Sequence, residues 1–219
     1  MRVRTVGAEA LLLEVDDPAA WFAELWRRRE AGELLVTDIV PGARTVLLDG
    51  LADQTATIEA MRALAPEPGS DPVAGPAPAP ELGSDPEPGS AAAEVLEIGV
   101  DYGGEDLAEV ARLWGTDEAG VVRRLTGTLF QVAFCGFAPG FGYLAGLPEE
   151  LAVPRLETPR HRVPAGSVAL ADRYAGIYPT ASPGGWRLVG HTDAVLFDPD
   201  REPPALFTPG ARVRLLARS

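Results

Sequence analysis

The sequence predicts an α+β protein in which a small ferredoxin-like α/β N-terminal domain precedes a C-terminal β-barrel. Three observations predict it. The first 65 residues read β-α-β-β-α. The stretch 66–93 then loses apolar periodicity in favour of Pro, Gly and Ala. From Thr128 onward, short β-rich runs alternate with Pro/Gly turns, the pattern of a closed or nearly closed barrel. The expected domains are therefore 1–65, a linker over 66–93, and 94–219.

In the N-terminal part, ALLLEV reads as a strand, and Asp17-Pro18 supplies an N-cap followed by Pro at the first helical position. Trp21, Phe22, Leu25 and Trp26 recur at helical spacing through PAAWFAELWRRRE, so these aromatics are expected in the core. LLVTDIV and RTVLLDG read as strands joined by the Pro41-Gly42-Ala43 hairpin signal, and TATIEAMRALA as a second helix. VLEIGV, beyond the linker, is the candidate strand to complete this sheet. No catalytic constellation stands out in this half.

The linker carries a near-repeat, PEPGSDP at 66 and PELGSDP at 80. Such a composition buries too little apolar surface to offset chain entropy, so a disordered or extended connection is expected. No basic residue falls between Arg62 and Arg112, and most of the net charge of −13 is concentrated there. EDLAEVARLW and DEAGVVRRL then read as two short helices, the second opened by Thr116-Asp117. TLFQVAF, SVALAD, AGIYP, WRLVGH, AVLFD and ARVRLL are the strand candidates of the barrel.

Composition excludes several classes. All 19 basic residues are Arg, which removes the P-loop lysine and Schiff-base chemistry. The acidic balance disfavours nucleic acid and anionic membrane surfaces as partners. The single Cys135 lies in an apolar run and reads as a buried small hydrophobe, which with the lack of a leader or membrane span points to the cytoplasm. His161 and His191 with one Cys cannot build a structural zinc site, so no metal is expected.

Three turn clusters hold the candidate site. Pro139 and Gly140 sit among Phe137, Phe141 and Tyr143; Gly166 and Ser167 follow Arg160 and Arg162; Ser182, Gly184 and Gly185 lie between Tyr178 and Trp186, with His191 shortly after. Large rings beside fixed turns build binding walls, although rings that simply plug a barrel give the same pattern. From Pro154 to Thr192 five arginines (Arg155, Arg160, Arg162, Arg173, Arg187) face only Glu157 and Asp172. In an extended run Arg160 and Arg162 share a face, which suits a carboxylate or phosphate; surface salt bridges are the plainer use.

GFAPGFGYLAGLPEELAVPRLETPRHRVPAGSVALA, GIYPTASPGGWRLVGHT and DPDREPPALFTPGARVRL resemble the bacterial family of 5-oxoprolinase B subunits, also described as allophanate hydrolase subunit 1 or KipI. The resemblance implies that the barrel is cyclophilin-like. It also implies work with the C subunit (similar to allophanate hydrolase subunit 2) and the separate A subunit of 5-oxoprolinase. Their joint reaction would be ATP-dependent opening of 5-oxoproline, a small anionic substrate, to glutamate. Phosphorylation of the lactam carbonyl would supply the electrophile, and Arg160 and Arg162 would stabilise charge there as catalytic groups. The Gly136–Pro148 segment would be a wall at the barrel mouth for substrate or partner. KipI-type members imply an alternative role, inhibition of a sensor histidine kinase, and a urea-amide hydrolase or carboxylase system is another. Peptidyl-prolyl isomerisation is suggested by the barrel alone. Two departures bear on the substrate: Leu125-Thr126 replaces a His-Thr, and Asp172-Arg173-Tyr174-Ala175-Gly176 replaces a Gly-Gly-Gln-Thr-Gly run.

Overall fold

A computed structural model describes residues 1–64 and 95–218; the expected linker at 66–93 lies outside the described residues. The chain divides into two compact units, one formed by the elements before that stretch and one by those after it.

The first unit comprises β1 (Arg2–Val6), β2 (Ala10–Glu14), α1 (Pro18–Glu30), β3 (Asp38–Pro41), β4 (Thr45–Asp49) and α2 (Gln54–Leu64). Its four strands form an antiparallel sheet in the order β1-β2-β4-β3. β4 therefore lies between β2 and β3, the two strands that α1 connects. Asp17 caps α1, accepting from the Ala20 N–H at 3.0 Å. Leu11 and Leu13 alternate with Leu12, and pack with Ile39, Val46 and Leu48 under Leu25 and Met61 from the helices. Trp21 and Phe22 pack at the margin of this core, but Trp26 is 39% exposed, and its indole N–H donates to Glu30 on the same helix.

The edge beside β2 is taken by β1, a strand whose Arg-Thr-rich sequence gave no expectation. VLEIGV does not join this sheet. It forms β5 (Val95–Tyr102) of the second unit, in register with a parallel strand across six residues there. A single apolar run carries no information about which sheet it will enter, and the parallel partner satisfies its backbone more fully than an edge position.

The second unit continues with α3 (Leu107–Leu113), α4 (Glu118–Gly127), β6 (Leu129–Cys135), β7 (Gly142–Ala145), β8 (Arg160–Val163), β9 (Ser167–Ala171), β10 (Tyr174–Ile177), β11 (Ser182–Gly184), β12 (Arg187–His191) and β13 (Arg212–Ala217). Seven strands close a barrel in the order β10-β7-β6-β13-β5-β12-β9, and β11 pairs with β8 as a separate ribbon. Asp117 caps α4, accepting from the Gly120 N–H. The stretch AVLFD forms no strand of the barrel; it holds only an isolated bridge between Phe197 and Ala205. The Gly136–Pro148 segment, read as a wall, contains β7.

The barrel wall is buried on both sides where it matters. Along β9, Val168 and Leu170 join the interior core with Val100, Phe130, Leu144, Ile177 and Val213, while Ala169 and Ala171 join a second cluster with Phe141, Tyr178, Trp186 and Leu188. Alternation along one strand therefore puts the second cluster on the outer face of the barrel. A register shift in β6 adds to it: the pairing Val132↔Leu144 is followed by Phe134↔Tyr143. One extra residue inverts the alternation, so Phe134 stacks on Tyr143 at 4.2 Å, while Cys135 packs against the interior core. Burial pushes the Cys135 thiol above its ordinary pKa, in keeping with an unreactive side chain.

Candidate functional site

The rings singled out in the sequence converge on that outer face rather than at the barrel mouth. Phe141 is the hub, in edge-to-face contact with Phe137, Tyr143, Tyr178 and Trp186 at centroid distances of 5.3, 5.1, 5.5 and 5.4 Å. Such pairs contribute about 0.5–1.5 kcal/mol each beyond their buried area. The layer depends on Gly176, the β10 residue beneath it: a Cβ there would lie 2.8 Å from Phe141 and 2.9 Å from Trp186. Gly184 serves the same end, since a Cβ would run into the Tyr178 hydroxyl.

A small open cleft of about 100 Å³ lies in this layer, lined by Phe137, Phe141, Tyr143, Arg155, Tyr178, Pro183, Gly184, Gly185 and Trp186. Burial raises the Tyr143 and Tyr178 pKa values, partly offset in both by the Arg155 guanidinium and in Tyr178 by an N–H donated from Trp186. Both phenols are therefore neutral donors at neutral pH. Arg155 sits over the Trp186 ring at 5.9 Å. It is exposed, and it is the one charged residue among those that line the cleft.

Phe137 is 60% exposed and held at φ 72°, a left-handed conformation that costs a bulky side chain energy. The loop that imposes it is tight: Gly136 N–H bonds Phe141 C=O, and Phe141 N–H bonds Ala138 C=O. Pro139 and Gly140 lie within that loop and do not line the cleft.

The two arginines predicted to act together both lie on β8, in the ribbon that it forms with β11. Its pairing passes from Ser182↔Val163 to Gly184↔Arg160, so three steps along β8 oppose two along β11 and the period-two alternation is interrupted. Arg160 turns to Asp106 at 3.0 Å and Glu105 at 3.3 Å, and these contacts raise its pKa. Buried Asp106 also accepts from the Leu188 N–H at 2.7 Å, so the pair ties the ribbon to β12. Arg162 is exposed.

The remaining candidates support the layer from behind or stand apart. Gly166 N–H donates to Tyr178 C=O at 2.7 Å, and Tyr178 N–H to Ser167 C=O at 3.0 Å, which fixes the Tyr178 backbone. Ser182 lies on β11 with its hydroxyl buried and unpartnered among the described residues. His191, at the end of β12, has Nε2 3.2 Å from Ala165 C=O and Nδ1 3.8 Å from Asp193. Among the described residues no group of three or more His, Cys, Asp or Glu is arranged to hold a metal ion. No helix among them is long and apolar enough to cross a membrane. Arg155, counted in the sequence only as part of a local charge excess, is the guanidinium that reaches the cleft; its contact with Trp186 spans 31 residues (186 − 155) and leaves no local pattern.

The closed seven-stranded barrel and the α/β unit make up a chain of the carboxyltransferase-domain class, as its sequence profile shows. The chain belongs to the family described as carboxyltransferase domain, subdomain C and D, whose sequence profile matches residues 1–207, and to which the relatives named as the B subunit of 5-oxoprolinase correspond. The 5-oxoprolinase B subunit of Escherichia coli O157:H7 is 34% identical over 232 aligned residues, 98% of this chain and 95% of that protein. TTHA0988, known from its crystal structure, is 31% identical with a TM-score of 0.70; the match covers all of this chain but 40% of that one. The urea carboxylase of Kluyveromyces lactis shares the fold at 18% identity and a TM-score of 0.66, over 99% of this chain and 22% of that one.

Proposed function

We propose that this chain is a non-self-sufficient component of an ATP-dependent 5-oxoprolinase complex that opens the lactam of 5-oxoproline to glutamate, working with the C and A subunits of that enzyme in the cytoplasm. The observation that carries this reading is the near full-length match to a protein named as the B subunit of 5-oxoprolinase. The strand order β1-β2-β4-β3 supports the ferredoxin-like domain that the element order predicts, and the closed barrel supports the cyclophilin-like domain that the resemblance implies.

The cleft contributes binding rather than a complete reaction centre. Its volume of about 100 Å³ falls below the ~300–1,000 Å³ of ordinary small-molecule sites, and its one guanidinium does not fit a triphosphate. No step through ATP is therefore assigned to these residues. What they can do is exclude water from one side of a small ligand, present neutral phenols and hold one negative charge. Arg162, exposed on the ribbon, is available for charge stabilisation once a partner polypeptide completes the surroundings.

The test is reconstitution with the two partner subunits and measurement of glutamate released from 5-oxoproline. Release should require ATP and all three polypeptides; full release with this chain omitted overturns the reading. The exposed Phe137 favours a second reading, a KipI-like inhibitor of a sensor histidine kinase. Copurification of a kinase in place of the two 5-oxoprolinase partners would select it.

A further inference from the structure

We propose that the outer cleft binds a compact ring bearing a carboxylate, the ring packed between Tyr178 and Trp186 and the carboxylate held by Arg155; its assignment to the substrate rests on the 5-oxoprolinase reading above. Three observations converge. The space of about 100 Å³ is small and open, which suits a compact ring and excludes a nucleotide. The walls are aromatic faces with fixed edge-to-face geometry, so the ring meets a surface that does not have to reorganise. The only charge among the lining residues is Arg155.

Arg155 is suited to this role in a way that Arg160 is not. The carboxylates of Asp106 and Glu105 already occupy Arg160. A guanidinium over the Trp186 ring keeps the N–H groups along its planar edge free, and that edge matches a carboxylate in bidentate fashion. The same charge acts on both phenols of the cleft, Tyr143 and Tyr178.

Calorimetric titration of the full chain with 5-oxoproline, 2-pyrrolidinone and cyclopentanecarboxylate tests this. Saturable binding of 5-oxoproline is expected, with cyclopentanecarboxylate retained and 2-pyrrolidinone, which lacks the carboxylate, weaker by roughly ten- to hundredfold. Arg155→Met should weaken 5-oxoproline by a similar factor, while Arg214→Met, at an exposed barrel position, should not. Absence of binding by the folded wild-type chain, Arg155→Met within twofold of wild type, or tighter binding of a prolyl peptide without a free carboxylate would each overturn the proposal. In the reconstituted complex Arg155→Met should raise KM for 5-oxoproline more than it lowers kcat. An active complex indifferent to that change defeats the site and leaves the reaction standing. A chain that binds through Arg155 in a complex without oxoprolinase activity does the reverse.

Discussion

The two faces of the barrel wall are built from the same strands by different chemistry. Inside, β9 and β10 present Val168, Leu170, Ala175 and Ile177, aliphatic side chains that fill a closed space. Outside, the same strands present Ala169, Ala171, Gly176 and Tyr174, small positions interleaved with a ring, against which Phe141, Tyr143 and Trp186 lie. Small residues on the outer face leave room for rings that do not interlock completely, and the remaining gap is the cleft. The inner face makes the barrel stand; the outer face leaves a gap without opening it.

The largest effect that would separate the two faces is expected from Leu170→Ala. Leu170 is fully buried in the interior, so truncation should lower the stability of this unit by about 2–5 kcal/mol, measured by denaturant unfolding. Gly176→Ala is expected to cost about 1–3 kcal/mol by overpacking the outer face, since the new methyl meets Phe141 and Trp186. Its signature should be a changed near-UV dichroism and weakened ligand binding. If Leu170→Ala altered the ring spectrum as much as Gly176→Ala does, the two faces would be one coupled core.

The smallest effect is that of alkali. Cys135 inside and Tyr143 and Tyr178 outside all have pKa values raised by burial. Each favours its protonated form in the folded state, so the associated stability is fully present below the ordinary values of about 8.5 for Cys and 10 for Tyr and is lost as pH rises through the folded values. Thermal midpoints should therefore be level from neutrality to about pH 8.5 and fall above it. Phenolate absorbance of a protein in which Tyr143 is replaced by Phe would assign the outer share. A midpoint that rises with alkali contradicts the burial argument.

Local chemistry was legible where one residue decides the outcome. Asp17 and Asp117 cap their helices as their sequences predict, and the rings of the Phe137–Trp186 region gather at one cleft. What escaped the sequence is set by register. The bulge in β6 turns Phe134 outward, and the β8–β11 ribbon shifts register between Ser182 and Gly184; neither shift leaves a mark in a run of apolar or basic residues. Partner choice escaped too, since VLEIGV reads the same whether it completes one sheet or begins another. Asp106 looked like one more acid in an acidic flank, and only contact at a distance of 82 residues shows it joined to β12.

The barrel is closed by β13, which lies between β5 and β6 and pairs with both. During synthesis the ribosome therefore delivers the closing stave after every other strand of the cylinder. Until it arrives, β5 and β6 expose unpaired backbone toward solvent, and sticky edges of that kind recruit strands from other chains. The nascent protein passes through an interval in which crowding endangers it most, and loss of β13 would make that interval permanent.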